Sequence, residues 1–402
     1  FWILGPFSFI HNGDEGEYVI PVYSYLTRWH DGGRLAHGLL GDTDAYTVLI
    51  GGMMKIAPGV ILLDLFPTWM AVGIHKILLS GTAFYGAYLL ARRAGGAERQ
   101  TSVALAAAHV VAHNYLVTAT LTMGFLTYAV YPLVLYTFVF RLHKKNYFPA
   151  VSTVSALVAL GVTPTNSGLG LGFAMILTWI FTGAPRAGRF ASGVFILLLA
   201  VMANWHEKLF AFLQMAPFSY RGTVRNLTPD TSEFFSEAIS FYKAMTPEAV
   251  PLVLLALVIL WLRQRNRFWL GVGMIFIVML SGPGLKFIPW KETPLEFFSG
   301  VRFQYVMFGL PSLMVLIVGW AAATGGKIIT FGRYKQSVLM ALVLAVAFGQ
   351  AASFKIFHLA QWLGFGGQSL YVNYPTLENP SCAPKHLFRP VTVPPRLSPD
   401  LL

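Results

Sequence analysis

Long apolar runs separated by short polar turns recur along nearly the whole chain. Runs of this length hold their own main-chain hydrogen bonds only as helices, so they predict spans at 1–10, 67–91, 101–118, 120–140, 148–163, 168–183, 190–204, 249–262, 268–282, 301–323 and 337–354, about eleven in all. The stretch Tyr46 to Asp64 is apolar too, but Gly51, Gly52, Pro58 and Gly59 break it. It predicts two short helices lying in the interfacial plane or re-entering, not a span. The expected fold is therefore an all-α polytopic membrane protein with a long first outer loop carrying interfacial helices. Because the chain opens on Phe1 inside an apolar run, part of the first span is expected to precede it.

The basic residues are not scattered. They fall in alternate turns: Arg92, Arg93 and Arg99; Arg141, Lys144 and Lys145; Arg186 and Arg189; Arg263, Arg265 and Arg267; Lys327, Arg333 and Lys335. Counted through the predicted spans, all five groups share one side, which the positive-inside rule makes the cytoplasmic side. The loops at 11–66, 205–248 and 283–300 and the tail at 355–402 then share the other. Residues 1–354 form one transmembrane domain on this reading. The proline-rich tail is expected to be extended and to wrap the outer face or contact another subunit. Composition agrees, with 55% of residues apolar and 11% charged. Of the 29 basic residues behind the net charge of +12, 14 lie in these turns, a clustering that points to membrane lipids and not to nucleic acid. A lone Cys382 excludes an intramolecular disulfide and a cysteine metal cluster.

Carboxylates are scarce, at 17 of 402 residues, yet Asp14, Glu15 and Glu17 lie together at the mouth of the first span. Ionisable groups at membrane depth are costly and mark functional sites. With the long first loop, its juxtamembrane helices and about eleven spans, this acidic motif resembles polytopic GT-C glycosyltransferases, which take a sugar from a polyprenyl-phosphate carrier. More specifically, the chain is similar to an uncharacterised bacterial branch of GT-C-like proteins through Met123 to Tyr136, Phe218-Ser-Tyr-Arg-Gly222 and Phe298-Ser-Gly-Val-Arg-Phe303. The resemblance runs over residues 1–325. It departs from that pattern at Asp14-Glu15, where an Asp-Asn or Asp-Asp pair is expected, and at Tyr220, where the branch has His. It implies a bacterial inner-membrane enzyme with a polyprenyl-phosphate sugar as donor.

Such a transfer needs a base for the acceptor proton and cations for the phosphate leaving group. Asp14 or Glu15 would be the base, with Glu17 beside them; a helix cap or a salt bridge to Arg28 or Arg34 is the structural alternative. Arg221, Arg225 and Arg302 suit phosphate, whose oxygens a guanidinium binds in pairs. Arg302, at the start of a span, equally suits a snorkelling anchor. Lys286, in Ser281-Gly-Pro-Gly-Leu-Lys, is expected in a glycine loop near a pyrophosphate or sugar. His206 and Glu207 follow Trp205 at a span end, a mixture that sugar sites favour.

With Asp42 and Asp44, His206 and Glu207 would be able to gather a divalent cation. Turn formation accounts for Asp42-Thr-Asp44 as well, so no metal is assigned. His109 and His113, four apart on one helix face, suit interhelical hydrogen bonds more than a metal. Asn226-Leu-Thr228 matches a glycosylation acceptor, without meaning for a bacterial source. Two other classes stay open: a transporter, which would place polar groups at the bilayer midplane, and a non-catalytic assembly subunit that keeps the fold.

Overall fold

The computed structural model describes residues 58–113, 125–161, 167–182, 186–215, 249–286, 288–301, 303, 306 and 309–325. Among them every regular element is helical and there is no strand. A short helix α1, Pro58–Leu65, precedes α2, Thr68–Leu89, which ends in a π turn, Leu90–Ala94. Then follow α3, Arg99–His113, and α4, Phe125–Leu135, with its own π turn Tyr136–Phe140. Next come α5, Phe148–Gly161, α6, Ser167–Phe181, and α7, Ala187–Met215. The last are α8, Ala249–Arg263, α9, Arg265–Lys286, and α10, Leu310–Gly325.

Each run expected between 67 and 323 carries a helix, and α1 is the second of the two short helices expected at 46–64. The runs at 1–10 and 337–354 and the tail lie outside the described residues. Boundaries differ in three places. Helix α7 continues to Met215 instead of ending near 204, and α9 continues to Lys286 instead of opening into a loop at 283. In the run at 301–323 the described α-helix begins at Leu310, after two 3-10 turns at Trp290–Glu292 and Glu296–Gly300. Ser281, Gly282 and Gly284 look like breakers, yet α9 runs through them and Ser281 Oγ donates back to the Val278 carbonyl at 3.0 Å. Within α7, Ala187–Asn204 is long and apolar enough to cross a membrane. The other apolar segments, such as Phe148–Leu160 and Leu310–Thr324, are shorter than a full span.

The hydroxyls show the same economy. Ser80 donates to the Lys76 carbonyl at 2.8 Å, Ser102 to Glu98 at 2.8 Å, Thr178 to Ala174 at 2.7 Å and Ser192 to Gly188 at 2.8 Å. Each bond reaches one turn back along its own helix, so no partner is required across the interface.

Helix α2 packs between α3 and α4, and α5 runs beside α7 in the same direction. Gly193 of α7 faces Phe138 and Val151, and one end further on Asn204 Nδ2 donates to the Ala159 carbonyl at 2.7 Å. Trp179 of α6 stacks on Phe190 of α7 at 4.5 Å between centroids, 9° from parallel. Helix α10 closes the assembly against α8, α9 and the π turn after α2. Two close approaches make this packing possible. A Cβ on Gly86 would lie 2.6 Å from the Leu133 backbone nitrogen, and a Cβ on Gly95 would lie 3.0 Å from the Gly319 Cα.

Gly86→Ala is expected to destabilise by about 1–3 kcal/mol, because the obstacle is main chain and cannot rotate away. Gly81→Ala, which meets nothing within 4 Å on the same helix, is expected to be neutral or to stabilise by roughly 0.5–1 kcal/mol. Thermal unfolding in mild detergent compares the two, and equal midpoints would refute the tight α2–α4 contact.

Candidate functional site

The bundle has two chemically distinct ends. At one, the turn after α2 is closed by Gly96 at φ 79° and by Arg92, whose Nη1 donates to the Ala97 carbonyl at 2.8 Å. The π turn Leu90–Ala94 touches the π turn Tyr136–Phe140, which leads to Arg141, Lys144 and Lys145. Arg189, one turn into α7, donates from Nη1 to the Leu142 carbonyl at 2.9 Å and lies over the Tyr147 ring at 5.3 Å. Arg267 lies over Trp320 at 5.4 Å, next to the Gly319 that packs on Gly95. Four of the five basic turns are thus brought to one end; the group at Lys327, Arg333 and Lys335 lies outside the described residues.

The sequence-predicted site residues that are described sit toward the other end. Lys286 is the last residue of α9, not part of a glycine loop. Just beyond it Trp290 Nε1 donates to the Leu285 carbonyl at 2.7 Å and anchors an aromatic knot: Trp290 to Phe298 at 5.0 Å, Trp290 to Phe303 at 5.5 Å and Phe297 to Phe298 at 4.3 Å. The turn Glu296–Gly300 in this knot packs against α7, the helix that carries His206 and Glu207 beyond Asn204. His206 is exposed. The fold therefore places Lys286, the knot and the far half of α7 in one neighbourhood. Asp14, Glu15, Glu17, Arg221 and Arg302 lie outside the described residues, as do Asp42 and Asp44.

Sequence reasoning missed one buried group, His75 with Lys76, and read a second, His109, as an interhelical hydrogen-bonding residue. His75 and Lys76 lie on the buried stripe of α2 with Ala71, Val72, Leu79, Ala83 and Ala87, and Lys76 is 0% exposed. On α3 the buried stripe Ser102, Leu105, Ala106 carries His109, 5% exposed, at its far end. Both stripes face the interior because residues four apart share a helix face. Cationic and imidazole groups buried at this depth are able to hold an anion or exchange protons. The signal was present: a lysine interrupts the apolar run at 67–91, and such a lysine is costly unless it is used or matched. Among the described residues no group of three metal-ligating side chains forms.

Comparison with protein-family models, with curated proteins and with solved structures finds no match to this chain.

Because Lys144 and His206 are both exposed and sit at opposite ends, a cysteine scan separates them. In a Cys382→Ser background, a membrane-impermeant maleimide added to intact cells is expected to label His206→Cys. Lys144→Cys should be labelled only after the membrane is opened. Labelling of both from the same side would refute the two-ended arrangement.

Proposed function

We propose that the chain is an integral membrane glycosyltransferase of the GT-C kind, moving a sugar from a polyprenyl-phosphate donor to an acceptor at the non-cytoplasmic face of a bacterial inner membrane. One observation carries the reading. The cationic turns collect at one end, while the described site residues His206, Glu207 and Lys286, with an aromatic knot, lie toward the other. Positive turns orient membrane helices toward the cytoplasm, so the opposite end meets substrates in the outer compartment. A helical bundle with chemistry at that surface suits a lipid-linked donor, whose prenyl tail stays in the bilayer while its sugar reaches water. A transporter would instead carry its polar groups near the midplane of broken helices.

On this proposal Asp14 or Glu15 accepts the proton of the acceptor hydroxyl, whose oxygen bonds to the anomeric carbon. The bond from that carbon to phosphate oxygen breaks, and the electron pair leaves with the polyprenyl phosphate. Arg302 and Arg221 neutralise the charge growing on that phosphate, as bidentate guanidinium contacts do. Glu17 and Glu207 accept hydrogen bonds from sugar hydroxyls, while His206 and Lys286 contact the sugar and the phosphate oxygens. Lys286 closes a helix and adjoins Trp290, so it suits a ligand seated on the aromatic knot and not one cradled by a glycine loop.

A transfer assay on purified protein with radiolabelled polyprenyl-phosphate sugars tests this. Replacing the base, by Asp14→Asn or Glu15→Gln, is expected to lower kcat by about 100-fold or more. Arg302→Ala is expected to lower kcat and kcat/KM together, because the charge it meets is largest in the transition state. No transfer from any donor by folded wild type, with co-purification of other membrane proteins, would replace the enzyme by an assembly subunit.

A further inference from the structure

No Asp or Glu occurs between Glu98 and Glu207. Helices α3 to α7 therefore present their basic turns without a carboxylate of their own. The fold then joins two of those turns: Arg189 donates to the Leu142 carbonyl at 2.9 Å and approaches the Lys144 carbonyl at 3.5 Å, with its guanidinium over Tyr147. Five cations, Arg141, Lys144, Lys145, Arg186 and Arg189, are thereby gathered at the shared base of α5 and α7. Among the described residues the one carboxylate at this end of the bundle is Glu98, in a different turn. Gathering like charges costs free energy that a bound anion offsets.

What lies beside the cations narrows the anion. Phe148, directly after the turn, is 58% exposed, and further along α7 Phe195, Leu198 and Leu199 are exposed as well. A charged rim over an apolar wall matches a molecule with an anionic head and hydrocarbon tails. We propose that the paired turns 141–147 and 186–189 bind the headgroup of an anionic phospholipid, with Lys144, Lys145 and Arg186 meeting its phosphate and Phe148 its upper acyl region. Arg189 acts as the clamp that holds the two turns together. This site is at the end opposite the transfer chemistry, so it stands or falls separately from the glycosyltransferase reading.

Thermal unfolding of the full chain in detergent tests it, with phosphatidylglycerol, phosphatidylcholine or inorganic phosphate added at matched ionic strength. Phosphatidylglycerol is expected to raise the wild-type midpoint by a few degrees, through preferential binding to the folded state. Lys144→Gln/Lys145→Gln should lose most of that rise, while Arg263→Gln/Arg265→Gln, at the exposed turn between α8 and α9, should keep it. Native mass spectrometry of wild type in mixed lipid should show phosphatidylglycerol adducts that diminish with salt. Equal stabilisation by phosphatidylcholine, an undiminished rise in the lysine double variant, or the same rise with inorganic phosphate alone would each overturn the assignment.

Discussion

An α-helix pairs its main-chain groups within itself, and this constraint shapes every described helix of the molecule. It selects helix over strand in an open-edged chain, carries α9 through Ser281, Gly282 and Gly284, and turns hydroxyls such as Thr178 back onto the preceding turn. Once hydrogen bonds are used up within each helix, cohesion between helices falls to close packing. Hence the importance of Gly86 against Leu133 and Gly95 against Gly319, where a side chain would force backbones apart.

The same constraint makes each charge consequential. A cation among these helices must reach water, meet an anion, or be held by carbonyls and rings. Arg92 and Arg189 take the last course at the ends of helices, where unpaired carbonyls are available. Arg267 uses the Trp320 ring. Lys76 is fully buried on α2, and that is why it belongs with His75 and His109 among the groups to test for function. Structural and functional cations are thus distinguished by what surrounds them, not by their residue type.

Much of the fold was legible. Apolar runs marked helices at each position between 67 and 323, since length and apolarity alone fix whether a segment is able to satisfy its backbone. The ends of α7 and α9 were misplaced because polar residues such as His206 and Glu207, and glycines around Pro283, signal a boundary only when water competes for the backbone. The candidate site was legible in part. His206 and Glu207 were marked by their place beside Trp205 at a span end and Lys286 by the glycines before it, whereas His75 and Lys76 were hidden inside a run whose overall apolarity was the stronger signal.

The sequence by itself determined that the described part of the chain is helical, that clusters of cations mark the turns, and that those turns alternate with apolar runs. These follow from local composition, because a helix needs only its own residues. Tertiary structure decided which turns meet. Arg189 sits 47 residues from Leu142 and still bonds its carbonyl. It also decided which face of α2 is interior, and so that Lys76 is buried while Ile77 and Leu78 are exposed. Such pairings depend on how helices approach through their smallest residues, a property of two surfaces together that neither segment carries alone.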